Sequence, residues 1–204
     1  MKLKKIMSVI LTAAVFLTAG IGVSAAGSAK VTRTGDMAYS MDGDFDDFEV
    51  DHFYWTEGEQ ICEIYEYTGS GGDVVIPNGV NWIQGGTFEN CTSITSVTIP
   101  DSVTSIGSDT FANCKNLKSV SMGKSVEIMG MNVFEGCTNL TSINIPNSLN
   151  TISEYTFYKC TSLKSITLPN SVTTIEYGAF KGCTSLTGIK MGNSVKTMCS
   201  PDGN

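Results

Sequence analysis

Apolar residues recur between residues 74 and 198 with a period of 23. Phe88, Phe111, Phe134, Phe157 and Phe180 form one column, and Cys91, Cys114, Cys137, Cys160 and Cys183 form another. Ile94, Leu117, Leu140, Leu163 and Leu186 keep the same step. An alternating apolar pair follows in every unit: Val97/Ile99, Val120/Met122, Ile143/Ile145, Ile166/Leu168 and Ile189/Met191. Pro or Gly comes next, then Ser, then two more apolar positions such as Val172 and Ile175. One such unit cannot bury its own apolar side chains, so stacked units must share a core, and the pattern predicts a repeat solenoid. The phase extends one turn back through Ile83, Val80, Pro77, Ile76 and Val74, and fails before that.

Within a unit, Ile166-Thr167-Leu168 alternates as a short strand with apolar residues inward. Pro169-Asn170-Ser171 predicts a turn, and Val172 to Ile175 a second extended segment. Tyr177 to Lys181 is expected to bring Phe180 inward on a single helical turn. Equivalent strands should pair in a parallel sheet at a spacing of about 4.8 Å. Ahead of the repeats, Phe53-Tyr54-Trp55 and Ile61 to Tyr65 alternate around Glu57-Gly58-Glu59, which predicts a hairpin. A β-hairpin cap is thus expected over 51–72, the repeats over 73–198 and a polar tail over 199–204, too short to seal the last core layer.

The unit F-x-x-C-x-x-L-x-x-I-x-L-P-x-S-V-x-x-I-x-x-x-A-F, read from Phe157 to Phe180, resembles the BspA-like (treponemal-type) leucine-rich repeat. The resemblance covers about residues 74–198. It implies a leucine-rich-repeat array belonging to an extracellular bacterial protein, often surface-attached, that binds host or microbial partners. In the general pattern an Asn follows the strand, and here Ser171 holds that place. A Ser column can serve the same turn backbone through its hydroxyls.

Lys2, Lys4 and Lys5 precede an uncharged apolar run from Ile6 to Leu17, and Val23-Ser24-Ala25-Ala26 follows it. That layout predicts a signal peptide over 1–26, and hence a secreted or cell-surface protein with no membrane span after cleavage. Residues 27–50 read as an acidic flexible spacer. Residues 36–66 carry eleven acids and no Lys or Arg, whereas 67–204 are almost neutral. Nucleic-acid binding needs a basic stripe to neutralise phosphates, so it is not expected.

The cysteine column is expected to be a ladder of buried thiols, since side chains in register point the same way instead of converging as a disulfide requires. No C-x-x-C pair occurs and His52 is the one histidine, so no zinc site is expected. Asp42 to Asp47 lacks the Gly and Glu spacing of a calcium loop. No nucleophile elbow or phosphate loop appears, so neither catalysis nor a cofactor is expected. The candidate binding face is the outward row Thr98, Ser121, Asn144, Thr167 and Lys190, with Ser96, Ser119, Ser142 and Ser165 entering the same strands. Candidate aromatic contacts are Tyr155, Tyr158 and Tyr177 near the Phe turn, and Phe53, Tyr54 and Trp55 on the cap. The expected role is recognition or adhesion toward an extracellular protein or glycan. The alternatives are a spacer that self-associates through its C-terminal end, and a fragment of a larger surface protein or hydrolase-associated repeat region.

Overall fold

A computed structural model describes residues 46–56 and 59–199, with main chain alone at 49–56 and 59–61. The expected signal peptide, and the spacer up to residue 45, lie outside the described residues. The chain opens with an antiparallel hairpin, β1 (Phe48–Thr56) and β2 (Glu59–Tyr67). Six coils follow, each with a front and a back strand. They are β3 (Gly72–Val75) and β4 (Trp82–Ile83), β5 (Ile94–Thr98) and β6 (Ser105–Ile106), then β7 (Ser119–Ser121) and β8 (Ile128–Met129). The last three coils carry β9 (Ser142–Ile143) and β10 (Thr151–Ile152), β11 (Ser165–Thr167) and β12 (Thr174–Ile175), then β13 (Gly188–Lys190) and β14 (Thr197–Met198).

Strands pair in parallel with their equivalents one coil away, as in Ile166 opposite Ile189. A turn closed by Val103 N–H donating to Pro100 C=O at 3.2 Å carries the chain from front to back, and Val172 repeats it on Pro169. The apolar columns fill the space between the sheets: Phe111, Phe134 and Phe157 are fully buried, as are Leu117, Leu140 and Leu163. Phe111 and Phe134 stack at 5.4 Å between centroids, and Phe134 and Phe157 at 5.6 Å.

Two expectations are corrected. The third side of each coil is a pair of overlapping turns, and no helix occurs among the described residues. Its amides alternate between partners. Cys137 N–H donates to Phe134 C=O at 3.2 Å within the coil, but Phe134 N–H donates to Thr156 C=O at 2.9 Å in the next. Donors spent on a neighbouring coil cannot build an i to i−4 ladder. The turns also need left-handed residues, and two columns supply them: Gly86, Asp109, Asn132, Tyr155 and Gly178, then Asn90, Asn113, Gly136, Lys159 and Gly182.

The hairpin also begins three residues earlier than the expected boundary at 51. Phe48 is buried, with its ring 5.5 Å from Tyr67 and 6.1 Å from Phe88. An aromatic that continues the phenylalanine stack belongs to the cap and not to a flexible spacer. At the other end the same columns are less covered: Met191 is 44% and Met198 56% exposed.

Neither sheet runs unbroken. The back sheet is β1-β2-β4-β6-β8 followed by a separate β10-β12-β14, and the front sheet is β3-β5-β7-β9 followed by β11-β13. Both breaks border the fourth coil. Side chains splice it to the third: Asn144 Oδ1 accepts from Met122 N–H at 2.7 Å, and its Nδ2 donates to Met122 C=O at 2.8 Å. Ser148 and Ser153 donate to the carbonyls of Val126 and Met129, each at 2.6 Å.

Candidate functional site

The front strands expose a row of side chains because alternation sends every second residue outward. Thr98, Ser121, Asn144, Thr167 and Lys190 are all exposed there. Ser142 and Ser165 are exposed as well, and Ser96 and Ser119 are half-buried. Asp73, at the head of the row, accepts from Thr95 Oγ1 at 2.8 Å and from Ser96 Oγ at 2.7 Å. Those two hydroxyls hold its carboxyl below the ordinary value. Asn144 sits where the pattern places it, but its amide braces Met122, so its polar groups are already occupied.

The front sheet opens where β9 and β11 fail to pair. A shallow cleft of about 450 Å³ lies there, lined by Thr141, Ser142, Asn144, Ser165, Thr167 and Pro169 with Ile143, Ile145 and Ile166 at its base. Ile143 is half-buried, as is Ile189, whereas Val97, Val120 and Ile166 in the same column are buried. Column periodicity gave no sign of this cleft; the signal available was Asn144, the one carboxamide in a row of hydroxyls and a lysine.

The three tyrosines meet on another side of the molecule. Tyr155 lies edge-on to Tyr158 at 5.4 Å and to Tyr177 at 5.3 Å. Lys159 Nζ sits 4.7 Å from the Tyr158 ring centre. The cluster is on the turn side, away from the front strands, with each ring half-buried. Phe53, Tyr54 and Trp55 lie on β1, opposite Cys62, Ile61 and Gln60, and their side chains lie outside the described residues.

The cysteines have a structural use that spacing did not disclose. Each thiol of the column from Cys114 onward donates to the carbonyl of the phenylalanine 26 residues earlier: Cys114 to Phe88 at 3.0 Å, Cys137 to Phe111 at 3.1 Å, Cys160 to Phe134 at 3.2 Å and Cys183 to Phe157 at 3.0 Å. Burial pushes Cys62 and Cys114 up to about 12 and Cys183 to about 11, and raises Cys137 and Cys160 as well. Such thiols stay protonated and unreactive. The Ser column serves turns at some positions only. Gly79 N–H donates to Ser102 Oγ at 3.1 Å, whereas Ser171 Oγ is buried without a partner. Among the described residues, no three metal-ligating side chains gather and no helix is long and apolar enough to cross a membrane.

No match was found among curated proteins. Among solved structures, a leucine-rich-repeat protein of T. pallidum superposes with a TM-score of 0.65 at 31% identity, over 71% of this chain and 68% of its own. A leucine-rich-repeat protein of Eubacterium ventriosum matches at 26% identity and a TM-score of 0.52, over 66% of this chain. This chain spans only 40% of that protein's length. The pneumococcal vaccine antigen PcpA shares the fold at 20% identity and a TM-score of 0.50, over 78% of this chain and 51% of its own. The family model of the BspA type leucine rich repeat region matches residues 81–200 in 6 copies. Shared repeat, shared coil and shared parallel pairing lead to one conclusion: the chain belongs to the BspA-type leucine-rich-repeat family.

Proposed function

We propose that this protein is an exported, non-catalytic recognition module that engages an extracellular protein or glycan through its front strands. The observation that carries this reading is the exposed row from Thr98 to Lys190, carried by the parallel front strands β5-β7-β9 and β11-β13. A rigid polar surface of this kind loses little entropy on binding. The positively charged start, apolar run and small-residue site over 1–26 support export. The test is binding of purified residues 27–204 to a panel of matrix proteins, mucins and bacterial surface glycans. Saturable binding, lost when Ser121, Thr167 and Lys190 are replaced by larger or opposite-charge residues, supports the reading. A folded sample that binds nothing overturns it.

A second reading, self-association through the last coil, draws on the exposure of Met191 and Met198. Unpaired strand edges above an apolar layer favour stacking on another molecule. Sedimentation that shows mass rising with concentration would favour it.

A further inference from the structure

We infer that the last coil docks on the acidic hairpin cap of a second copy of this chain, so that molecules join head to tail. The inference rests on the self-association reading above and names the face that the last coil meets. In the inner coils Phe134, Leu140 and Leu149 are buried. Their counterparts Phe180, Leu186 and Val195 are only partly buried, and Met191 and Met198 are exposed. An apolar layer left open in this way gains by being covered.

Charge selects what covers it. Residues 177–199 carry Lys181, Lys190 and Lys196, all exposed, and no Asp or Glu. The turn-side main chain adds to this sign. Its bonds between coils run one way, from the amide of one coil to the carbonyl of the next: Phe111 to Val133 at 2.9 Å, Phe134 to Thr156 at 2.9 Å and Phe157 to Ala179 at 2.8 Å. At the last turn the corresponding amides, Gly178, Phe180 and Gly182, meet no acceptor among the described residues. A one-way ladder leaves donors at one end and acceptors at the other, as a helix does. At the first turn, the carbonyls of Gly85 and Glu89 receive no main-chain bond among the described residues.

The cap end has the complementary sign. Residues 36–66 carry eleven acids and no Lys or Arg, and Asp46, Asp47 and Glu66 are exposed. Among the described strands, β1 is the edge of the back sheet at that end and β14 at the other, so both offer unpaired main chain. Two last coils face to face would set lysines against lysines and free donors against free donors. Two caps would set acids against acids. Cap on last coil is the pairing in which charge and main-chain polarity both match. Because the two faces differ, each docked copy leaves another last coil open, and the product is a row and not a closed pair.

The test is sedimentation of the exported chain, residues 27–204, over a range of concentrations. Mass should rise past that of a dimer, and about 0.5 M NaCl should weaken association at least about tenfold relative to about 20 mM. Lys181→Glu/Lys196→Glu alters the last coil, and Asp47→Lys/Glu66→Lys alters the cap. Each variant alone should sediment as a folded monomer, with folding checked by thermal melting. An equimolar mixture of the two should associate again, because each supplies the face that the other lacks, and misfolding of either cannot produce that rescue. Association of the cap variant by itself, a mixture that stays monomeric, or wild-type association indifferent to salt would overturn the inference and leave the self-association reading standing. A wild type that stays monomeric up to about 1 mM in low salt overturns both.

Discussion

The thiol of Cys137 donates to the main-chain carbonyl of Phe111, in the preceding coil and 3.1 Å away. The same carbonyl accepts from Cys114 N–H at 3.2 Å. The cysteine column is therefore a stitch between coils as well as a row of small apolar groups. Truncating Cys137 to Ala removes one buried bond and leaves a small void, so it should cost about 1–2 kcal/mol. Urea unfolding of the variant measures this directly.

Alkylation tests the same ladder chemically. Cys199 is exposed, while Cys114, Cys137 and Cys160 are buried. A neutral alkylating agent near pH 8 should label Cys199 within minutes and the three buried thiols only after denaturation. Peptide mapping of the labelled sites reads the result.

Stability should fall in alkali. The buried thiols ionise less readily in the folded chain, with Cys62 and Cys114 at about 12 against an ordinary value of 9.0, because burial penalises the thiolate. Below about pH 9 both states keep the proton and these groups favour neither. As pH rises past the unfolded value, the unfolded chain gives up protons first, and stability declines until the folded thiols also ionise. The urea midpoint should therefore drop as pH rises from about 9 toward about 12, and drop less in a Cys114→Ala/Cys160→Ala variant.

Phe134 stacks between Phe111 and Phe157 with nearly parallel rings, 2° and 9° apart in plane. Phe134→Ala opens the middle of the stack, where neither neighbour can collapse into the space. The expected loss is about 3–5 kcal/mol, measured by thermal or urea unfolding.

Ser171 Oγ is buried with no hydrogen-bond partner. Ser171→Ala removes an unsatisfied polar atom from an otherwise tolerant site. It should gain about 1 kcal/mol, seen as a higher melting temperature.

The stack was legible in the sequence because each apolar column maps to one layer of the core. Ile166 and Leu168 had to face in, and Thr167 out, whatever closed the coil. The turn side was less legible, since a Phe-x-x-Cys spacing suits either a helical turn or a pair of tight turns. The distinguishing signal was the run of Gly, Asp and Asn at 86, 109, 132 and 178, which marks left-handed backbone. Tyr155 hides that signal in its own coil, with φ of 53° and its ring lying over Gly178. Adding a Cβ at Gly178 would place it 2.5 Å from that ring, so the two positions depend on each other. The break at the fourth coil was not legible. All its columns are intact, and the splice in which Asn144 Oδ1 and Nδ2 both bond the Met122 main chain is a detail that hydropathy does not encode.

The central claim is that recognition resides on the front strands and not on the tyrosine cluster. The most direct measurement takes one partner captured in the panel and compares its dissociation constant for the wild type, for Ser121→Arg/Thr167→Arg, and for Tyr158→Ser/Tyr177→Ser. The account predicts that the front-strand variant weakens binding by at least about tenfold, equivalent to about 1.4 kcal/mol, while the tyrosine variant stays within about twofold. Binding that survives the front-strand variant and is lost with the tyrosines would contradict it.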